Sequence, residues 1–223
     1  MERKSAMEQD MTKGSPFRVL IMFTLPLAIG NIFQQLYNMA DTIIVGRYVG
    51  ADALAAVGST GTVMFLLNGF AQGITAGFSV LTAQRFGAGK KEGVKESVTN
   101  GVLLSIIGAI LFTVLSCGIM NPLLHLMNTP ENIFAQAYEY ISLISLGMVA
   151  NVFYNLFSSY LRAVGNSRMP LVFLVLSACL NVVLDLILII NFKMGVAGAA
   201  WATNLSQAIS AVLCAVYIYK KVP

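Results

Sequence analysis

The residue in this chain most expensive to place is Asp185, inside the run ACLNVVLDLILII from Ala178 to Ile190. Ser177, Asn181 and Asp185 follow one another at intervals of four, so on a helix they share one face. An acidic side chain at the middle of a bilayer costs from about 2.5 to 3.5 kcal/mol upward, so such residues face a cavity, a partner or an ion. A second carboxylate has similar company. Asn31, Gln34, Gln35, Asn38 and Asp41 recur at spacings of three and four in an apolar stretch, forming a polar stripe that is not expected to face lipid. Weaker stripes follow in Asn68, Gln72, Thr75 and Ser79, in Asn151, Asn155 and Ser158, and in Thr203, Gln207 and Ser210. Several helices therefore point polar groups at a common interior.

Positioning these residues requires membrane spans. Of 223 residues, 57% are hydrophobic and only 11% charged, with a mean hydropathy of +0.76; soluble domains hold about 25% charged residues. Apolar runs of roughly 20 to 28 residues match a helix crossing a hydrocarbon core of about 30 Å. The expected spans are Phe17 to Gly46, Ala53 to Thr82, Val98 to Met120, Ile133 to Leu161, Met169 to Phe192 and Val196 to Tyr219. The fold class is thus all-α integral membrane: residues 1–16 form a cytoplasmic segment, 17–219 a six-helix lobe, and 220–223 the start of a linker or a truncated end. The first run lacks a small-residue cleavage site and reads as a span, not a removed signal. Pro26 deletes a backbone hydrogen bond within it and marks a bend, either fixed or hinging. Gly69, Gly73 and Gly77 in the second span read as a packing face.

Charge sets direction. Arg3, Lys4, Lys13 and Arg18, then Arg85, Lys90, Lys91 and Lys95, then Arg162 and Arg168, then Lys220 and Lys221 occupy alternate connections, against only Arg47 and Lys193 on the other side. The positive-inside rule then places both termini in the cytoplasm of an inner (plasma) membrane protein. Odd-numbered spans run outward, so Asp41 and Asp185 lie late in outward-running helices and Thr203 early in an inward-running one. All three fall in the outer half. Two carboxylates, an amide and a hydroxyl offer oxygens to a hard cation such as sodium. Like charges confined in one low-dielectric pocket also resist ionising together, so the cluster suits a proton equally well. The plainer alternative leaves Asp41 at the outer interface and buries only Asp185 with Asn181.

Other chemistry is excluded. The net charge of +4 sits in short loops beside apolar spans, which argues against nucleic acid. In QRFGAGKKE a phosphate-binding loop would need Gly at Gln84 and Ser or Thr at Lys91, so no ATP site is expected. His125 stands without a second imidazole in NPLLHLMNTP, read as an outer turn, and has no metal or general-base role. Glu139, between Tyr138 and Tyr140, reads as part of an interfacial aromatic belt. Cys117, Cys179 and Cys214 lie inside apolar runs with neither metal spacing nor a disulfide pattern. A membrane enzyme would need a nucleophile beside a base, and none is placed so. No cofactor is expected beyond a coupling Na+ or H+.

Over its whole length the chain resembles the multidrug and toxic compound extrusion (MATE) transporters. The resemblance rests on PLAIGNIFQQLYNMADTIIVGRYVGADALAAVG, AQRFGAGK, YLRAVGNSRMP, LNVVLDLILI and GVAGAAWAT. It implies one of two six-helix bundles facing each other around a cavity, exchanging sodium or protons for small organic, mostly cationic and amphipathic compounds. By motif position Asp41, Asn181, Asp185 and Thr203 resemble the family's amino-terminal cation site, with Gln34, Tyr37 and Asn38 nearby; Asn68, Asn151 and Asn155 complete the expected cavity. Pro26 matches the proline at which the first helix is thought to bend. The departure is length: the second bundle is absent, so the chain is read as a fragment or as a half that pairs with itself or with a partner. Two rivals stand beside this reading. A flippase of lipid-linked sugars would want basic residues within the cavity, and none lies mid-span; an inactive, assembly-only subunit would bind no ion.

Overall fold

The computed structural model describes residues 15–221, so the segment before Ser15, with Arg3, Lys4 and Lys13, and the last residues of the expected linker lie outside it. Among the described residues every regular element is helical: α1 (Pro16–Tyr48), α2 (Ala51–Ser59), α3 (Gly61–Gly87), α4 (Lys91–Leu126), α5 (Glu131–Leu146), α6 (Met148–Ala163), α7 (Arg168–Asp185), a π-helical continuation (Leu186–Asn191) and α8 (Gly195–Lys221). Five helical stretches are long and apolar enough to cross a membrane alone: α1, α3, α4, α7 with its continuation, and α8. α5 and α6 pass the same test together, as one span bent by 47°. The protein is a multi-pass membrane protein.

Three expected spans differ in detail. The second is broken at Thr60: α2, which follows α1 after Gly50 with its φ of +126° that favours glycine, packs against α5, and α3 begins after the break. Hydroxyls absorb the break: Ser59 Oγ donates to the Ala56 carbonyl and Thr60 Oγ1 to that of Val57, both at 2.7 Å. The third span runs on through Pro122 to Leu126, so His125 belongs to the last turn of α4 and not to a loop; its ring lies 4.4 Å from that of Phe134. The fourth bends at Gly147. There Asn204 of α8 occupies the space a β-carbon would need and donates from Nδ2 to the Leu143 carbonyl at 2.7 Å, satisfying a group beside the break.

α8 is the most enclosed span. Its small residues Ala199, Ala200, Ala202, Ser206 and Ser210 let it pack against α5, α6 and α7. In lipid such contacts are held by close packing and hydrogen bonds, since transfer from water supplies little between helices. α1 is the reverse case: Gly30, Asp41, Ile44 and Val45 are its buried residues, and it rests chiefly on α7. The glycine face of the second span does not pack as expected, since β-carbons at Gly69, Gly73 and Gly77 would meet open space. On the short connection between α3 and α4, Arg85 reaches the Gly93 carbonyl at 2.7 Å, and Glu96 Oε2 and Ser97 Oγ at 3.0 Å. That clasp ties the ends of the two helices.

Candidate functional site: an acidic pair beside an amide-lined cavity

Asp41 of α1, Asn181 and Asp185 of α7 and Thr203 of α8 meet in the interior. All are buried, Asn181 and Asp185 completely. The spacing of four along α7 turns Ser177, Asn181 and Asp185 inward together, while α8 presents Thr203 from the opposite wall. Asn181 Nδ2 donates to Thr203 Oγ1 at 3.3 Å, and the Tyr37 hydroxyl lies 3.4 Å from the same oxygen. The carboxyl groups of Asp41 and Asp185 are neighbours. Asp41 thus lies inside the cluster and not at an outer interface.

The polar accounting does not close. Asp41 Oδ1, Asn181 Oδ1 and both carboxylate oxygens of Asp185 are buried without a hydrogen-bond partner. A buried polar atom left unpaired costs about 1 to 3 kcal/mol, more if charged, so an arrangement that gathers four of them calls for something to satisfy them. All four are oxygen acceptors, the donor set a hard monovalent cation prefers, and one proton between the carboxyls would also relieve the pair. Among the described residues no group of three His, Cys, Asp or Glu side chains is placed to hold a metal.

One turn away from the acidic pair, Tyr37 enters the wall of a cavity of about 250 Å³. Pro26, Asn31 and Gln34 of α1, Asn68 and Gln72 of α3, Asn151 and Asn155 of α6, and Gln207 of α8 line it. The amides bind one another: Asn151 Nδ2 donates to Asn68 Oδ1 at 2.9 Å and Gln207 Oε1 at 3.1 Å, and Asn155 Nδ2 to Asn151 Oδ1 at 3.0 Å. Asn38 does not join them. It is exposed, as are Asn31, Gln34 and Gln35, but unlike Asn31 and Gln34 it does not line the cavity. The stripe on α1 is therefore broader than the face it buries.

Two contributors escape a reading of the sequence alone. Tyr140 is 4% exposed and within electrostatic reach of Asp41, Tyr37 and Asp185, so it belongs to the cluster's wall and not to an aromatic belt; Glu139 beside it is exposed. Arg162, which looked like a topology signal in a loop, lines the cavity at the end of α6. The π-helical turn that begins directly after Asp185 also had no signal in the uniform run LILII. Such turns are common at functional sites, where one inserted residue re-aims its neighbours.

Comparison with known proteins agrees with this architecture. The probable multidrug resistance protein YoeA of Bacillus subtilis is 32% identical over 96% of this chain and 47% of its own length. A MOP superfamily transporter from Pyrococcus furiosus, whose reverse polarity of binding pocket is taken to suggest a different function, superposes with a TM-score of 0.90 at 31% identity, covering 99% of this chain and 48% of that one. A MATE protein in a bent conformation gives a TM-score of 0.86 at 32% identity, over 93% and 46% of the two chains. The chain spans about half the length of the relatives it matches. The MatE family profile matches residues 26–187, and the chain belongs to that family of MATE transporters.

Proposed function

We propose that this chain is one lobe of a secondary multidrug efflux antiporter, exchanging Na+ or H+ for small organic compounds of the mostly cationic, amphipathic kind. The observation that carries the reading is the set of unpartnered oxygens on Asp41, Asn181 and Asp185, separated by Tyr37 from a cavity that can hold part of a drug-sized molecule. Asp41 and Asp185 are on different helices, so an ion between them draws α1 toward α7, and its departure leaves like charges that push them apart. α1 is the lightly held element, and Pro26 lies in its cavity wall. Bending there would change the cavity's volume. For the ion to drive that change it must bind the two shapes with different affinity, since equal affinity shifts nothing.

The basic residues around the α3–α4 connection, with Arg168 at the start of α7, support a cytoplasmic face there, in an inner membrane, with both described ends on the same side. The second wall of the transport path would come from a second lobe, a partner half or a copy of this chain. A lipid-linked sugar flippase would need several cations to hold a pyrophosphate, and the cavity lining contains one. Replacing Asp185 with Asn in a complete two-lobed context is expected to abolish drug resistance in cells. Resistance that survives the change at equal expression would sink the proposal.

A further inference from the structure

The cavity lining carries one charged side chain, and it is positive. Arg162 stands at the end nearest the α6–α7 turn, with Tyr154 and Ser167 beside it in the wall. The carboxylates of Asp41 and Asp185 do not line the cavity. Among the described residues no acid pairs with Arg162; the ion pair found there is Arg85 with Glu96, elsewhere. Tyr154 gives its hydroxyl hydrogen to the Pro170 carbonyl at 3.5 Å, and Ser167, which is buried and lines the cavity, makes no capping bond with α7. Arg162 is exposed at the cavity's rim, and a guanidinium paired with no acid, beside a serine in a wall dominated by amides and apolar groups, is the arrangement that receives a planar anion.

We infer that Arg162, with Ser167, forms an anion subsite at one end of the cavity, taking a carboxylate or phosphate group of an amphipathic organic substrate. This rests on the transporter reading and narrows its mostly cationic substrates to those that also carry an acidic group, the zwitterions. Along α6 the span from Asn151 to Arg162 is about 16 Å, the length of a small drug-sized molecule. A zwitterion therefore lies with its acidic group on Arg162, its body on Leu27, Leu171 and Leu174, and its amine toward Tyr37 and the acidic pair beyond. That orientation satisfies both ends at once, which neither a simple cation nor a simple anion does.

The test is fluorescence titration of the full chain in detergent with three probes that share a dansyl ring: dansylglycine, its methyl ester and dansylcadaverine. The acid is expected to bind about ten-fold more tightly than the ester, as one charge-assisted hydrogen-bonded contact provides. In Arg162→Gln that preference disappears while ester binding stays, and in Arg162→Lys part of it remains. The acid–ester comparison is made on unaltered protein and decides the matter whether or not a variant folds. Displacement of dansylglycine by phosphatidylglycerol vesicles would identify the natural anion as a lipid headgroup; displacement only by soluble aryl carboxylates would identify a free solute. Equal affinity for acid and ester, or a preference that survives in Arg162→Gln, overturns the subsite and leaves the transporter reading intact. Failure of all three probes to bind overturns both.

Discussion

Thr203 Oγ1 is the smallest part on which the cluster turns. It accepts from Asn181 and lies within hydrogen-bond reach of the Tyr37 hydroxyl, so it fixes the amide through its nitrogen and leaves the amide oxygen unpaired. Thr203→Val keeps the shape and removes the acceptor, stranding the Asn181 amine in a dry site; the loss expected is about 1 to 3 kcal/mol. A lowered melting temperature in detergent checks it, together with weaker ion stabilisation. Ion binding has its own signature. A ligand at 100 times its Kd stabilises by about 2.7 kcal/mol, so sodium chloride is expected to raise the melting temperature relative to choline chloride, and Asp185→Asn to remove the difference. No rise in the unaltered protein would point to protons as the coupling ion. Asp41, Asn181, Asp185 and Thr203 could be read from the sequence because polar residues in an apolar run have few stable destinations. Tyr140 and Arg162 could not: a tyrosine or arginine near the end of a span is equally at home at the interface, and only the packing of α5 and α6 buries Tyr140 and sets Arg162, still exposed, in the cavity's rim.

At the scale of elements, hydropathy located the spans but not their breaks, since an apolar run reads the same straight, bent or π-helical. The bend at Gly147 shows why. At the bend a side chain from another helix, Asn204, fills the place of a β-carbon, a contact no hydropathy pattern announces. Gly147→Ala is therefore expected to destabilise by about 1 to 3 kcal/mol through overpacking. Asn204→Ala should recover part of that loss in the double variant, although alone it removes one of the two hydrogen bonds that the Leu143 carbonyl accepts, the other coming from the Gly147 N–H. Non-additive melting temperatures across the four proteins would verify the contact, and simple additivity would deny it. The bend also lies one residue along α8 from Thr203 and one turn from Gln207, which bonds Asn151 in the cavity wall. A single segment of α8 thus touches the cluster, the bend and the cavity. The clasp from Arg85 is a local matter by comparison: Arg85→Ala is expected to raise amide hydrogen exchange over residues 88–97 without altering it near the cluster, because its bonds stay within that connection.

At the scale of the whole molecule the unfinished surface is the one formed by α1 and α3. Gln35 and Asn38 on α1 are exposed amides, costly against lipid, and Gly69, Gly73 and Gly77 on α3 present a smooth exposed face with nothing against it. Polar stripes and small-residue faces on membrane helices are stable when another helix covers them, and the relatives are about twice as long as this chain. A second copy is the covering element available when the chain is purified alone. Light scattering in detergent is then expected to give a protein mass of twice 24.0 kDa. Gly73→Leu tests which face does the covering. Its side chain enters open space, so the lobe's own stability is expected to stay within about 0.5 kcal/mol, as for other surface changes. The pair, by contrast, should separate, because a leucine keeps the approaching helix away. A dimer that persists in Gly73→Leu would move the interface elsewhere, and a monomer before any substitution would mean that the face awaits a different half. Only in that last case would ion binding to the isolated lobe be uncoupled from transport, since a cation closing α1 on α7 would have no opposite wall to move against.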